Sequence, residues 1–240
     1  MKRSRITWEA RLTEICQQHD LSPPTQDQLR TIVLALEPEL ASITTVRAPS
    51  AAVDVHIADS LSALAVPTVR AGAQIADLGA GGGFPALALA AALPSTRVVA
   101  VESVGKKCDF VRNVADAAGL TNMLVVNARA EDWQEGIEGN DIVTARALAP
   151  LGVLLEYAAP LLKIGGQLVA YKARRDAEEE AVAGRAAAEL GMQLRDVLAV
   201  EPFPGSGDRN LHVYEKTTAT ADKFPRRAGM ARKRPLGTAR

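Results

Sequence analysis

The sequence is poor in aromatic residues and cysteine, and it lacks a long hydrophobic run. Aromatic residues make up only 4% of its 240 residues, so an aliphatic core is expected. The apolar run Ala86–Leu93 is far shorter than the ~20 residues that a membrane span needs. No apolar stretch follows the basic residues at 2–5, so a signal peptide is not expected. Cys16 and Cys108 do not form a metal or redox spacing, and we interpret them as reduced thiols of a cytoplasmic protein.

The chain also lacks net charge, because 28 basic residues balance 28 acidic ones. This balance argues against a protein whose whole surface is basic and binds nucleic acid. The charge is uneven along the chain, however, because residues 223–240 contain seven basic residues and no acid. We call residues 218–240 the C-terminal tail and expect it to be extended and partly mobile. Its basic residues are expected either to contact phosphate groups or only to increase solubility.

Hydrophobic periodicity divides the rest of the chain into two parts. In residues 1–65 apolar residues recur at helical spacing, which predicts an N-terminal helical extension with a third helix at Val53–Leu64. In residues 66–217 predicted strands alternate with predicted helices, which indicates an α/β fold with a mostly parallel sheet and helices on both faces. The predicted strands are Ile75–Leu78, Arg97–Glu102, Met123–Asn127, Ile142–Thr144, Gln167–Tyr171, Leu194–Val200 and Leu211–Lys216.

Four helices are predicted between these strands. They are Pro85–Leu93, Lys106–Gly119, Leu151–Leu162 and Ala177–Leu190. Glycine follows or ends two of them, as expected of a helix C-terminus. The pair Gly165-Gly166 is expected to turn the chain into the fifth strand.

A glycine-rich turn between the first strand and the following helix is the strongest functional signal. Asp77 ends the strand, and Gly79, Gly81 and Gly83 occupy alternate positions after it. Glycine permits positive φ and lets a ligand approach the backbone. A dinucleotide site would need glycine at position 84, which is Phe84 here, and no P-loop motif is present. We therefore expect Asp77 to orient the turn and reach the amino-acid end of a different cofactor.

An acid at the end of the second strand supports this interpretation. Glu102 lies 25 residues after Asp77, a distance that suits one helix and one strand, and a single carboxylate can accept from both ribose hydroxyls. The turn, the spacing and Glu102 together favour S-adenosylmethionine over a nicotinamide cofactor or a purely structural loop. After the third strand, Ala130 and Glu131 are placed to offer a backbone amide and a carboxylate to adenine. An ordinary helix N-terminal acid is the alternative for Glu131.

These motifs resemble one family, the glucose-inhibited division protein B family (RsmG), which methylates guanine N7 in small-subunit ribosomal RNA. The resemblance covers nearly the whole chain, and its middle motifs are specific. The segments that carry it are His56–Leu61, Ala76–Pro85, Val101–Arg112, Ala128–Asp132, Val143–Leu151, Leu161–Gly166, Ala170–Lys172 and Phe224–Leu236. The chain departs from the family pattern at Ser42-Ile43-Thr44, where members often have Asn-Leu-Thr, and at Ala86, where many have glycine.

The resemblance implies a fold, a reaction and a set of site residues. The fold is that of a class I methyltransferase, Rossmann-like, with a seven-stranded sheet. The implied partner is 16S ribosomal RNA or the small ribosomal subunit, and a monomer without a membrane or metal is expected. Cofactor contacts are implied at Gly79, Phe84, Ala130, Glu131 and Arg146, with Glu102 near the ribose.

Three residues are candidates for work on the methyl acceptor. Guanine N7 carries a free lone pair and no proton, so catalysis can rest on positioning and electrostatics rather than on a general base. Asp59 is a candidate for stabilising the cationic product, or else a local packing carboxylate. Arg146 and Lys172 each follow a strand at the sheet edge where ligands bind. For Arg146 a salt bridge is the alternative, and for Lys172 substrate contact is left open.

Two other functions remain open at this stage. A methyltransferase of the same fold that acts on a small molecule or a protein is the first. A binding protein that keeps the pocket as a relic is the second, although the intact turn, Glu102 and Arg146 argue against decay.

Overall fold

The computed structural model of the protein describes residues 6–36, 46 and 48–238, and this part begins with two capped helices. In α1 (Trp8–Gln18) the first turn is capped by the side chain of Thr7, and in α2 (Pro23–Ala35) by that of Ser22. Each cap accepts a hydrogen bond from a backbone amide that has no partner within its own helix. The predicted N-terminal helices are therefore present. The departure at residues 42–44 and the basic residues at 2–5 lie outside the described residues.

A run of short helical turns leads from residue 49 to the sheet. It consists of α3 (Pro49–Ala52), a π-helix (Val53–Ala58), α4 (Asp59–Leu61), a 3₁₀-helix (Ser62–Ala65) and α5 (Pro67–Ala71). The predicted helix Val53–Leu64 is thus helical throughout, but it widens to π geometry immediately before Asp59. Such π turns are rare and occur frequently at functional sites. The additional helix α5 begins with a proline, whose fixed φ suits a first helical turn.

The described part of the chain contains one seven-stranded sheet, in the order β3-β2-β1-β4-β5-β7-β6. Its strands are β1 (Gln74–Leu78), β2 (Arg97–Glu102), β3 (Met123–Asn127), β4 (Asn140–Arg146), β5 (Leu162–Lys172), β6 (Met192–Val200) and β7 (Arg209–Lys216). β1 to β5 pair in parallel, and β7 runs antiparallel to both of its neighbours. All seven predicted strands are confirmed.

Helices cover both faces of this sheet, as predicted. They are α6 (Ala86–Ala92), α7 (Gly105–Ala117), α8 (Leu151–Ala158) and α9 (Ala177–Leu190). Successive side chains of a strand point to opposite faces, and accordingly Ile75 and Ala76 belong to different core clusters. The N-terminal helices pack with α6 and α7 on one face, and α8 and α9 fill the other. None of the helices in the described ranges combines the length and apolar character that a membrane crossing requires.

Two sequence predictions near the fifth strand are wrong. The predicted helix Leu151–Leu162 ends at Ala158, because Pro160 has no N–H with which to continue the helical hydrogen-bond ladder, although Ala159 still has helical dihedral angles. The pair Gly165-Gly166 does not precede β5 but lies within it, where the pairing with β4 shifts register. A Cβ at Gly166 would lie 2.9 Å from the Asp141 carbonyl oxygen, so glycine permits this close approach.

The expectation of an extended C-terminal tail is also wrong for its described residues, 218–238. Phe224 and Ala231 are buried in the core cluster on the α8–α9 face, and α10 (Met230–Lys233) is a helical turn. Arg226 donates two hydrogen bonds to the carboxylate of Glu156, the one from Nε spanning 2.6 Å. The tail docks because apolar burial and this ion pair outweigh the repulsion among its basic residues.

We expect the replacement Arg226→Ala to lower the free energy of unfolding by about 3 kcal/mol, because it leaves a buried carboxylate without its partner. The Glu156 side chain is only 3% exposed, whereas that of Arg226 is 23% exposed. Urea denaturation followed by circular dichroism measures this loss. The neighbouring exposed residue gives a matched control, and Arg227→Ala should stay within about 0.5 kcal/mol of the parent. Equal stability of the two variants would show that the Arg226–Glu156 ion pair does not stabilise the docked tail.

Candidate functional site

The residues of the candidate site meet at one edge of the sheet. Glu102, Arg146 and Lys172 end β2, β4 and β5, whose carboxyl ends share this edge because the strands are parallel. Arg209 joins them from the start of β7, which runs the opposite way. The strand order reverses direction between β1 and β4, and ligands of open α/β sheets bind outside such a switch point.

Asp77 lies beneath the glycine turn rather than in a cavity. Its carboxylate is fully buried, accepts a hydrogen bond from the Ala86 amide at 3.2 Å and one from the Thr144 hydroxyl at 3.0 Å. One side chain thereby ties β1 to β4 and to the first turn of α6. Burial raises the pKa of Asp77 to about 7, although both hydrogen bonds oppose the shift. Asp77 orients the turn as predicted, but the structure gives its carboxylate protein partners on both oxygens.

The glycine turn requires glycine for two separate reasons. Gly79 has φ of +66°, and a Cβ there would lie 2.5 Å from a methyl carbon of Leu148. Gly81 has φ of +58°, but a Cβ there would meet only the Gly79 carbonyl oxygen, at 3.8 Å. Thus Gly79 allows tight packing against the loop after β4, and Gly81 leaves open space on the outer side of the turn.

A cavity of about 490 Å³ lies against this turn, and we call it the glycine-turn cavity. Gly79, Gly81, Phe84 and Glu102 line it, together with Arg146. Glu102 Oε2 accepts from the Gly81 amide at 3.0 Å, and Oε1 accepts from the Val104 amide at 2.8 Å and from the Ser103 hydroxyl at 3.4 Å. An ionised carboxylate has about four acceptor positions, so one, on Oε2, remains for a ribose hydroxyl of a nucleoside. The open turn and this carboxylate fit S-adenosylmethionine.

Phe84, His56 and Arg146 form a stacked wall of the glycine-turn cavity. The Phe84 and His56 rings lie 4.7 Å apart at an angle of 9°, and the Arg146 guanidinium carbon is 6.0 Å from the Phe84 ring centre. Burial, together with the Arg146 charge, lowers the pKa of His56 to about 4, so this histidine is neutral at pH 7. The aromatic residue that breaks the dinucleotide pattern therefore packs directly beside the cavity.

A second cavity of about 570 Å³ adjoins the first, and we call it the strand-end cavity. Asp59, Lys172 and Arg209 line it, and His56 and Arg146 line both cavities. Asp59 accepts a hydrogen bond from Arg146 Nη1 at 2.7 Å, and Arg209 Nε lies 3.5 Å from its other oxygen. Lys172 Nζ donates to Glu179 at 2.7 Å. The structure brings all three candidates for acceptor chemistry to this one cavity.

The salt bridge considered for Arg146 exists, but it reaches outside its own loop. Arg146 Nη1 also donates to the Val55 carbonyl at 3.0 Å, so both of its partners lie on the helical run 49–65. This run therefore lies against the carboxyl edge of the sheet, where its residue His56 lines both cavities.

Ala130 and Glu131 form a 3₁₀ turn after β3, as their position in the sequence suggests. Glu131 is buried, and its Oε1 accepts a hydrogen bond from the Gly229 amide of the C-terminal tail at 2.9 Å. The structure thus gives this carboxylate a protein partner beside the third strand. It does not place Ala130 or Glu131 in the wall of the glycine-turn cavity.

Several residues of the two cavities were not predicted from the sequence, and three of them bear on the chemistry of the site. Ala147 lines both and has φ of +53°, a strained geometry for a residue with a Cβ. Arg209 and Arg232 come from the antiparallel strand and the tail. The motif Val143–Leu151 contained the signal for Ala147, but only the tertiary fold brings the two arginines to the site.

The sheet order, the glycine turn and the acid at the end of β2 define a class I S-adenosylmethionine-dependent methyltransferase. Solved structures share this fold. A SAM-dependent methyltransferase from Aquifex aeolicus superposes with a TM-score of 0.54 at 17% identity, covering 78% of this chain and 97% of its own. Aeropyrum pernix fibrillarin with bound S-adenosyl-L-methionine superposes with a TM-score of 0.53 at 21% identity, covering 65% of this chain and 72% of its own.

The chain belongs to the GidB family, described as rRNA small subunit methyltransferase G, whose model matches residues 33–208. Relatives that carry the name ribosomal RNA small subunit methyltransferase G support this assignment to the family. That of Rubrobacter xylanophilus is 41% identical, over 82% of this chain and 77% of the relative. That of Chloroflexus aggregans is 42% identical, over 81% of this chain and 82% of the relative. That of Deinococcus radiodurans is 38% identical, over 89% of this chain and 86% of the relative. The protein is therefore an S-adenosylmethionine-dependent enzyme of this family.

The raised pKa of Asp77 predicts a pH dependence of stability. Because the pKa of Asp77 is about 7 in the folded protein, against an ordinary value of 3.8 for an aspartate, the folded state holds the proton more tightly. The stability that this bound proton contributes to the folded state is fully present below about pH 4 and is lost as the pH rises through 7. The replacement Asp77→Asn removes this pH-dependent contribution. The asparagine oxygen can still accept from the Ala86 amide, and its NH₂ group can donate to the Thr144 hydroxyl. As the pH rises from 4 to 8, the free energy of unfolding of the variant should increase by at least about 2 kcal/mol relative to that of the parent.

Urea denaturation at a series of pH values measures this difference. Asp141→Asn is the control. Burial raises the pKa of Asp77, whereas hydrogen bonds from Lys163 and the backbone lower that of Asp141. Its stability difference should therefore change only below about pH 4. A constant difference for Asp77→Asn across the whole range would contradict a protonated buried Asp77.

Proposed function

We propose that this enzyme transfers the methyl group of S-adenosylmethionine to N7 of a guanine in 16S ribosomal RNA. The observation that supports this proposal is the pair of adjoining cavities, one against the glycine turn and one at the strand ends. They share the side chains of His56 and Arg146 and the strained residue Ala147. A cofactor in the first cavity and a base in the second would meet at these shared residues. The family membership supports small-subunit RNA as the acceptor.

For the glycine-turn cavity we propose the cofactor contacts implied by the sequence. The backbone of Gly79 and Gly81 and the ring of Phe84 line the cavity wall, and Glu102 Oε2 has an acceptor position left for the ribose. When bound, S-adenosylmethionine supplies an electrophilic methyl group on a sulfonium centre. Arg146 has further N–H donors beyond those that hold Val55 and Asp59, and these suit the amino-acid carboxylate of the cofactor.

Asp77, Ala130 and Glu131 remain proposed contributors of a different kind. Asp77 holds the turn in its geometry through Ala86 and Thr144 and so acts through the backbone. The 3₁₀ turn that contains Ala130 and Glu131 follows β3 at the cofactor side of the sheet. We propose that it borders the adenine, with the Glu131 carboxylate already occupied on one oxygen by Gly229.

For the strand-end cavity we propose that Asp59 serves the acceptor guanine. Methylation of N7 makes the base cationic, and a carboxylate beside the ring stabilises that charge. Arg146 and Arg209 hold the two oxygens of Asp59 from opposite sides and fix its orientation. Lys172, which is held by Glu179, is proposed to contact the RNA at the mouth of the same cavity. Guanine N7 has a free lone pair, so no side chain is assigned as a base.

We further propose that the enzyme works as a monomer in the cytoplasm, where its ribosomal substrate is made. The division into an N-terminal extension (1–65), a methyltransferase core (66–217) and the C-terminal tail (218–240) is part of the same proposal. It is supported by the different positions of these parts, since the extension covers one face of the sheet and the tail packs on the other. Light scattering during size-exclusion chromatography tests the monomer.

In vitro methylation tests the reaction itself. We expect the purified enzyme to transfer labelled methyl groups to 16S ribosomal RNA, either as naked RNA or in assembled small subunits. Digestion and mass spectrometry should identify 7-methylguanosine as the product. A Glu102→Ala variant should bind the cofactor about tenfold or more weakly, because a charge-assisted contact to the ribose is lost. A different methylated nucleoside, or transfer only to a protein or small molecule, would contradict the proposal.

Asp59→Asn tests the role of the shared carboxylate. We expect kcat to fall by about tenfold or more with unchanged cofactor affinity, because the neutral amide no longer stabilises the positive charge on the base. Asp54→Asn is the matched control, because Asp54 also pairs with an arginine but faces Arg11 of α1 at 2.9 Å. Its kcat should remain that of the parent. Equal kcat values for both variants would assign Asp59 to packing only.

A further inference from the structure

The basic residues of the C-terminal tail make selective contacts with the protein rather than forming a uniformly solvated arm. Arg226 holds the buried Glu156, and the Gly229 amide donates to Glu131. Arg232 donates from Nη2 to the Leu148 carbonyl at 2.7 Å. These contacts lie within ten residues of the tail, so they fix the position of α10 on the core.

Two of the three acceptors border the place where the cofactor is proposed to bind. Leu148 lines the glycine-turn cavity and packs against Gly79, where a Cβ would meet its side chain. Glu131 belongs to the 3₁₀ turn after β3 on the cofactor side of the sheet. Arg232 itself lines the glycine-turn cavity. The docked tail therefore supplies one wall of this cavity.

We propose that Arg232 is a cofactor-binding residue and that docking of the C-terminal tail completes the S-adenosylmethionine site. This inference rests on the proposed function, because it assigns a further contact to the same cofactor. A guanidinium has five N–H donors, of which one goes to the Leu148 carbonyl and another contacts the Tyr157 hydroxyl, so further donors remain. The cofactor offers matching acceptors in its carboxylate, its ribose oxygens and its adenine nitrogens.

Glu131 acquires a second role in this arrangement. Its carboxylate anchors Gly229, the residue immediately before α10, and so positions Arg232 three residues further along the chain. Arg226 and Glu156 anchor the same segment from the other side through a buried ion pair. From the sequence alone, the basic residues of this tail were expected either to contact phosphate groups or only to increase solubility. The contacts instead direct one of its arginines to the cofactor cavity.

The neighbouring residue Lys233 provides a matched control. It follows Arg232 on the same helical turn, carries the same charge and is exposed, but it does not line the glycine-turn cavity. Loss of either charge changes the overall electrostatic attraction for RNA equally. Only the loss of Arg232 removes a donor from the cavity wall.

Isothermal titration with S-adenosylhomocysteine tests the proposal on the full-length protein. We expect Arg232→Ala to weaken binding about tenfold and Lys233→Ala to leave it within about twofold. Arg232→Lys should recover part of the loss, because lysine keeps the charge but not the planar donor geometry. Thermal unfolding of each variant shows that the fold is kept.

Hydrogen exchange provides an independent readout. If docking of the tail strengthens cofactor binding, then cofactor binding must strengthen docking by the same factor. Backbone amides of residues 224–233 should therefore exchange more slowly with S-adenosylhomocysteine present. In Arg232→Ala this added protection should shrink about tenfold, in parallel with the lost affinity.

Several outcomes would overturn this inference while leaving the proposed function intact. Equal cofactor affinity of the parent and Arg232→Ala is the first, and equal weakening by Lys233→Ala is the second. Reduced RNA binding of Arg232→Ala at unchanged cofactor affinity would assign the tail to RNA instead. The parent protein is measured in the same series. Failure of the parent to bind the cofactor would overturn the proposed function itself.

Discussion

The buried carboxylate of Asp77 is the constraint on which the site depends. It joins the end of β1 to Thr144 of β4 and to the first amide of α6. This link acts together with the hydrogen bonds that the Gly79 and Ala80 amides donate to the Val101 carbonyl of β2, and the two sets hold the glycine turn at the switch point between β1 and β4. The energetic cost of burying this group is visible in its raised pKa. The rest of the glycine-turn cavity is built on the turn that Asp77 fixes.

Around this turn, ionic contacts bring remote parts of the chain to the same sheet edge. Arg146 connects β4 to the helical run 49–65 through Asp59, and Arg209 reaches the same carboxylate from β7. The tail joins from the opposite side through Glu131. Each carboxylate holds a partner that is distant in sequence. The site is thus a convergence of separate segments, which explains why its two cavities share residues.

Much of this could be predicted from local patterns. The strands β2 and β3 have the predicted bounds, because each is a short apolar run with a clear beginning and end in the sequence. The glycine turn, Phe84 and Glu102 were found because they are close in sequence and their spacing has a simple geometric meaning. The end of α8, the place of Gly165-Gly166 and the fold of the tail were predicted wrongly. Their structures depend on Pro160, on a register shift with β4 and on burial against distant helices.

The sequence by itself determined the alternation of strands and helices, the cofactor class and the family, because all three are encoded in short contiguous motifs. Only the tertiary structure decided where the carboxylates and arginines meet. It placed Arg209 beside Asp59, Arg232 beside the glycine-turn cavity and the Glu131 carboxylate on the tail. The reason is physical: an ion pair forms between groups that packing brings within about 4 Å, and no local pattern reports such a distance.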